Sequence, residues 1–526
     1  MKRYRVLKRI RVVISLIFLI LLGLFFLDFT GLFPTRFIKG VVYLQFVPSL
    51  LKFFNVFSWI ATGFIIILLL TLVFGRVYCS TICPLGILQD VVSYIRRRIH
   101  KKKRHRYIKP RRWLRYGILA LSVAFLAGGS ILIVALLDPY SLFGRMVSDL
   151  FRPLATQGNN LVAGILNQFD IYSLYHVDLH PIHIGILTIP IVFLILVVWL
   201  SFTRGRLYCN TVCPVGTFLG LVSKISLFQI RLNPSTCTKC GLCERKCKGG
   251  CIETTTQRVE FSRCVGCFNC LEVCPFDSAE YSLNPLYQKA QVQENPNPTP
   301  HQTDGSKRKF LASLALVFFS ATKISKAQEL VSHSATTPIN RKNPVSPPGS
   351  QSIDRFNDSC TACNLCVNVC PTQVLQPSLL EYGLRGLMQP HLDFHAGYCN
   401  YECVVCSEVC PTGAILPINM EEKKLIQMGK AHFVKENCIV ETEGTACGAC
   451  AETCPTQAVA MVDYKNNLKI PEVTNDICIG CGACENSCPT LPYKAIYVEG
   501  NPLHQQAEEP DKKQVEKAKS EEEFPF

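Results

Sequence analysis

Twenty-eight of the 29 cysteines in this 526-residue chain stand in short spaced runs, and that spacing constrains the fold more than any other feature. The pattern C-x2-C-x2-C-x3-C occurs at Cys237/Cys240/Cys243/Cys247, Cys264/Cys267/Cys270/Cys274, Cys360/Cys363/Cys366/Cys370 and Cys478/Cys481/Cys484/Cys488. Two runs have a longer first gap, Cys399/Cys403/Cys406/Cys410 and Cys438/Cys447/Cys450/Cys454. Two C-x3-C-P pairs follow apolar segments, at Cys79/Cys83 and Cys209/Cys213, and only Cys251 is left over.

Four thiolates hold a cubane cluster, and short gaps let one loop wrap it, so the six runs predict six 4Fe–4S clusters. In two-cluster ferredoxins the fourth cysteine of each run ligates the other run's cluster, so runs are read in pairs. Five of the six fourth cysteines precede proline; the sixth, Cys247, precedes Lys248, which leaves Cys251 as an alternative ligand. Zinc also takes C-x2-C pairs, but six repeated proline-closed runs are not the usual writing of zinc modules. A disulfide framework fits worse in a chain of this size. The last four runs start at Cys360, Cys399, Cys438 and Cys478, a period of 39 to 40 residues that reads as one repeat used four times. By analogy with other four-cluster subunits, the outer runs are expected to pair with each other and the inner runs likewise. Cys237 and Cys264 start 27 residues apart, which suits one compact two-cluster unit.

Apolar residues crowd into the first 202 positions, where four segments approach the ~20 residues needed to cross a bilayer. They are Val12–Leu32, Val56–Phe74, Ile118–Leu137 and Ile184–Phe202; Phe37–Phe54, with Lys39, Gln45 and Pro48, reads as an interfacial or re-entrant piece. The fold class predicted is an α-helical membrane domain of four transmembrane helices plus α+β ferredoxin-like iron–sulfur domains. Six Lys or Arg residues precede the first span and twelve lie between Arg96 and Arg115, against only Arg145 and Arg152 between Asp138 and Pro181. The positive-inside rule therefore puts the first two regions in the cytoplasm, with the Cys237–Cys274 unit. Basic residues this close to spans serve topology and lipid headgroups, which accounts for the +16 net charge without nucleic acid.

The two C-x3-C-P motifs are copies, FGRVYCSTICPLG and RGRLYCNTVCPVG, each after an inward-running helix. Cys79, Cys83, Cys209 and Cys213 are thus read as a shared metal or cluster site, as a redox-active dithiol or as structural turns. Farther on, Gln291–Gly305 is a proline-rich polar linker, and SKRKFLA from Ser306 opens a short apolar run close to a twin-arginine export signal. Export would put the second ferredoxin domain on the outer face. The division is 1–230 membrane domain, 231–286 two-cluster domain, 287–305 linker, 306–327 signal or membrane segment, 352–500 four-cluster domain and 501–526 disordered tail.

Residues 1–285 resemble the NapH family of membrane quinol-dehydrogenase components, through the four spans, the two Y-C-x3-C-P-x-G motifs and the Cys237–Cys274 unit. From Ser306 to Pro502 the chain resembles NapG and its MauM relatives, through SKRKFLA, the PPGS segment at Pro347–Ser350 and the ENC…CxxCxxxCP pattern at Glu436–Pro455. The sequence looks like a fusion of two subunits that work as a pair. Lys307, Lys248 and the Cys399–Cys403 gap depart from the family pattern. The resemblance implies oxidation of menaquinol or ubiquinol at a bacterial inner membrane, with electrons handed to a periplasmic partner such as a c-type cytochrome or a reductase. The chain carries no C-x2-C-H motif and no dinucleotide fingerprint, so no bound haem or flavin is expected.

Quinol oxidation releases protons, so its site needs an acceptor beside an apolar slot. Asp138, His180 and His183, with His176 nearby, are the weak candidates, and they are more simply read as polar loop residues at the interface. Two other functions fit the cysteine pattern: a metal-centre maturation factor of the CcoG or NosR type, and an electron wire with no quinol site.

Overall fold

The computed structural model describes residues 2–28, 31–56, 62–99, 106–177, 184–284 and 337–509. The linker, the SKRKFLA segment, His180 and His183 lie outside these residues. Two helices organise the membrane domain, α1 (Lys2–Leu27) and α11 (Ile184–Arg204). Their segments Tyr4–Leu27 and Ile184–Arg204 are long and apolar enough to cross a bilayer. At about 1.5 Å per residue α1 reaches about 39 Å. Ile17, Ile20, Ile195 and Trp199 are half-exposed or more on these helices, a surface suited to lipid.

The other two expected spans are not single full-length helices. Ile118–Leu137 breaks at Gly128-Gly129-Ser130 into α7 (Arg112–Ala127) and α8 (Leu132–Leu137). Gly129 has φ +76°, a conformation that stops a helix and that glycine adopts without strain. Of Val56–Phe74, the described helix is α4 (Gly63–Phe74), 12 residues long. The re-entrant reading of Phe37–Phe54 has its counterpart in α2 (Thr35–Val42) and α3 (Phe46–Val56), which meet at 106°. Between the long helices lie α5 (Tyr78–Thr81), α6 (Pro84–Ile99), α9 (Pro139–Met146) and α10 (Arg152–Asn167). α12 (Leu207–Thr211) and α13 (Pro214–Val222) follow α11 and repeat the pairing of α5 with α6.

The first ferredoxin unit begins at β1 (Phe228–Leu232), slightly before the boundary read from sequence. β1 pairs antiparallel with β4 (Ala279–Leu283), and a small hairpin of β2 (Ile252–Glu253) and β3 (Arg258–Val259) lies between them. The second unit contains three antiparallel pairs: β5 (Leu375–Pro377) with β6 (Pro390–Leu392), β7 (Ile426–Phe433) with β10 (Ile496–Gln506), and β8 (Val459–Asp463) with β9 (Lys469–Val473). β10 runs into the stretch read as a disordered tail, where Gln505 and Gln506 pair with Gln427 and Ile426. Residues 337–351 also belong to this unit: Gly500 N–H donates to Asn343 O and His504 N–H to Gln351 O.

The two units sit at opposite ends of α1 and of α11. At the start of α1, Lys8 pairs with Glu272 of the first unit. At its end, Phe25 and Phe26 pack in one core with Cys363 and Val409 of the second. α11 runs the other way: Ile186 packs with Ala362 and Met388, and Arg206, just past its end, donates its backbone N–H to Lys248 O.

Candidate iron–sulfur sites

The runs fold the same way because their backbones share a turn. In the four C-x2-C-x2-C runs the residues on either side of the second cysteine are left-handed: Lys239 and Gly241, Gly266 and Phe268, Ala362 and Asn364, Gly480 and Gly482. Such turns direct successive N–H groups inward, as an anionic cluster requires. The stretched runs lack this pattern, with Val404 at φ −125° and Gly448 at −136°. After the last cysteine of each run in the second unit comes Pro-Thr. The hydroxyls of Thr372, Thr412, Thr456 and Thr490 lie 3.2–3.8 Å from the sulfurs of Cys370, Cys410, Cys454 and Cys488. Ala362, Ile415 and Ala495 add backbone donors 3.4 Å from Cys360, Cys410 and Cys488. These donors fit thiolate-bound clusters, whose potentials depend on hydrogen bonds to sulfur.

The fourth cysteines are exchanged between neighbouring runs. Cys243 has Cys237, Cys240 and Cys274 as electrostatic neighbours, and Cys270 has Cys264, Cys267 and Cys247. Cys366 faces Cys360, Cys363 and Cys410, and Cys406 faces Cys399, Cys403 and Cys370. Cys450 faces Cys438, Cys447 and Cys488, while Cys484 faces Cys478, Cys481 and Cys454. The last four runs therefore pair first with second and third with fourth. This corrects the outer-with-outer expectation: runs adjacent in sequence close on each other before the chain moves on. The two pairs touch where Cys399 N–H donates to Cys481 O. Cys251 lies 3.5 Å from Cys247, sulfur to sulfur. Donation from its thiol, against burial, lowers Cys247 to about 7, as backbone donors around Gly249 and Ile252 also do. Both sulfurs therefore stand at this position, and Cys251 also faces Cys264.

The C-x3-C-P cysteines meet as well. Cys83 has Cys209, Cys79 and Cys213 as charge neighbours, and all four are free and buried. The two copies clasp each other. Arg76 donates to the carbonyl of Cys209 at 3.2 Å, and Arg206 donates to the carbonyl of Cys79 at 2.5 Å. Gly216 is tight against this clasp, since a Cβ there would lie 2.8 Å from Arg76 Nη2. Gln89 and the Gly216 N–H donate to the sulfurs of Cys209 and Cys213 at 3.1 and 3.3 Å. Beneath, Asp90 binds Arg206, Arg11 and Lys248 at 2.7–2.9 Å. Arg76, Arg206, Gln89 and Asp90 were not singled out in the sequence, although both copies carry the same G-R-x-Y-C string. Among the described residues no group of three or more His, Cys, Asp or Glu side chains is arranged to hold a single metal ion.

Asp138 is not a surface acceptor. It is 1% exposed and caps α9, accepting from the Ser141 N–H and Oγ, both at 2.8 Å. His176 is exposed on the loop past α10.

Family models for a 4Fe–4S binding domain match residues 56–103 and 186–233, one per C-x3-C-P copy, and another such model matches 264–278. Models for a 4Fe–4S dicluster domain match 359–415 and 445–491, each covering neighbouring runs. An uncharacterized protein of Methanocaldococcus jannaschii is 25% identical over 287 residues, 54% of this chain and 97% of the relative. The ferredoxin-type protein NapH of Haemophilus influenzae is 23% identical over 40% of this chain and 63% of its own length. The methylamine utilization ferredoxin-type protein MauM of Methylophilus methylotrophus is 30% identical over 27% of this chain and 65% of its own length. The chain is thus similar to ferredoxin-type proteins of the NapH and MauM kinds. It carries 4Fe–4S binding domains in both halves, and two of its helices are long and apolar enough to cross a membrane.

Proposed function

We propose that this chain is a NapH-like membrane quinol dehydrogenase component that passes electrons through six 4Fe–4S clusters to a periplasmic acceptor. The observation that carries the reading is the placement of the two ferredoxin units at opposite ends of α1 and α11. With the basic N-terminus and the Arg96–Arg115 loop inside, the first unit faces the cytoplasm and the second the periplasm. On this reading the membrane domain carries four membrane-inserted elements, two full-length and two shortened. The chain joins a NapH-like and a MauM-like part end to end.

The clusters supply one-electron carriers when bound. The chain's own contribution is to hold them in file and to shield them from water. Cys237, Cys240, Cys243 and Cys274 form one ligand set, and Cys264, Cys267, Cys270 and Cys247 the next. In the second unit the sets are Cys360/Cys363/Cys366/Cys410, Cys399/Cys403/Cys406/Cys370, Cys438/Cys447/Cys450/Cys488 and Cys478/Cys481/Cys484/Cys454. The quinol lies in the apolar part of the membrane domain. The second unit docks a c-type cytochrome or reductase.

Anaerobic protein in detergent, mixed with a menaquinol analogue while cluster absorbance and EPR are followed, tests this. Rapid reduction blocked by a quinone-site inhibitor is expected. Clusters that accept electrons from dithionite but not from quinol would refute quinol oxidation and leave an electron wire.

A further inference from the structure

The two C-x3-C-P copies each match a 4Fe–4S model, yet each supplies only two cysteines, half of a four-thiolate set. We infer that Cys79, Cys83, Cys209 and Cys213 together hold one iron–sulfur cluster, a seventh, which carries electrons between the two ferredoxin units. This goes beyond quinol oxidation and does not depend on it.

The site is built for an anionic group. Its four thiols are 2–3% exposed and are drawn from two chain segments. Gln89 and the Gly216 N–H already donate to two of the sulfurs, and Arg76 Nη2 stands 3.8 Å from the Cys79 sulfur. Arg206 is 0% exposed, and its Nη2 has no protein partner although it lies against this group of cysteines. Burying a guanidinium with a free donor beside four thiols is costly unless an acceptor fills the space. A disulfide or a dithiol would use the cysteines in pairs along one segment. The exchanged arginine clasp instead holds the two segments as one unit.

The position also fits a carrier. Cys267 and Val265 of the first unit lie in the same packed core as the four cysteines. On the other side, α9 contributes to two packed cores. Leu142 and Met146 lie in the same core as the four cysteines, while Tyr140 and Phe143 lie in the core that holds Cys363 of the second unit. Without this cluster, electrons would have to pass from Cys267 to Cys363 with no carrier between. With it, one electron leaves a reduced cluster of one unit, reduces the membrane cluster by one charge, and moves on to the other unit. No bond is made or broken.

The test is metal and sulfide analysis of the full-length protein purified without oxygen, with three variants. These are Cys79→Ser with Cys83→Ser, Cys209→Ser with Cys213→Ser, and all four together. A shared site predicts the same loss from each, about four irons for a cubane or about two for a 2Fe–2S cluster. The EPR signals of the remaining clusters stay in place. Unchanged iron, losses that add between the two pairs, or stoichiometric zinc in the native protein would each overturn the inference. Should the variants fail to fold, the native protein still decides. About 24 irons with four thiols open to alkylation rejects it, and iron above that number with the thiols protected supports it. Failure of quinol to reduce a protein that holds the extra iron would refute the proposed function alone.

Discussion

Arg76 donates to the carbonyl of Cys209 across 133 positions of sequence, and Arg206 makes the equivalent bond to Cys79. The repeat is therefore more than a duplication, because each copy completes the other's cysteine loop. Both arginines are fully buried, and Arg206 keeps its charge there because Asp90 lies against it at 2.7 Å.

Asp90 is the keystone of that arrangement, and Asp90→Asn tests it. Burial would raise the Asp90 pKa, but Arg206, Lys248 and Arg11 more than offset this and hold it well below the usual carboxylate range. Its stabilising effect is present in full above about pH 4 and is lost only as pH falls through the lower folded value. Removing the charge leaves three buried cations with no counter-ion, which costs roughly 3–5 kcal/mol. Thermal unfolding of the membrane domain is expected well below that of the native protein, with a matching loss of iron. An unchanged melting temperature would show that the cluster of charges is dispensable.

The seam between α9 and the second unit has no room to spare. A Cβ on Gly144 would lie 2.5 Å from the Cys363 carbonyl oxygen and 2.7 Å from the Phe26 ring. Gly144→Val should therefore push the second unit off the membrane domain at a cost of about 1–3 kcal/mol. Both units keep their clusters, since no ligand changes. Reduction of the second unit through the membrane domain is expected to slow at least tenfold, while direct reduction by dithionite is unaffected. Stopped-flow spectra of both routes check this.

With Cys247 as the ligand, Cys251 is the neighbouring thiol 3.5 Å away, and two variants separate the roles. Cys251→Ser keeps a hydroxyl beside the Cys247 sulfur and should retain the cluster with a shifted potential. Cys247→Ser should lose it, about four irons per chain. Iron analysis with potentiometric EPR separates the two outcomes, and loss from Cys251→Ser with retention in Cys247→Ser would mean that Cys251 is the ligand.

The ligand runs were legible because a cluster-binding loop is local: spacing within about ten residues fixes which thiols can converge. Their pairing was not legible, since a period of 39 to 40 residues is the same whichever runs face each other. Only the packing of Cys410 toward Cys360 and of Cys488 toward Cys450 decides it. The shortened third helix had its signal in Gly128-Gly129, outweighed by the apolar residues on both sides. Burial of Asp138 had no signal, because a polar residue ending an apolar run reads the same whether the chain emerges into water or turns back into protein.

His504 offers a pH test of the strap formed by residues 337–351. Its ring accepts or donates at Ser346 Oγ, 2.9 Å away, and burial lowers its pKa from 6.5 to about 4. A neutral ring is thus required in the folded protein. The stability this protects is present in full above about pH 6.5 and is lost as pH falls toward about 4, because the unfolded chain binds the proton first. The shift bounds the effect at roughly 3 kcal/mol. Limited proteolysis ahead of the PPGS segment should become faster between pH 6.5 and 4 in the native protein. His504→Gln, which cannot take up that proton, should flatten the dependence. Equal acid sensitivity in both would place the titrating group elsewhere.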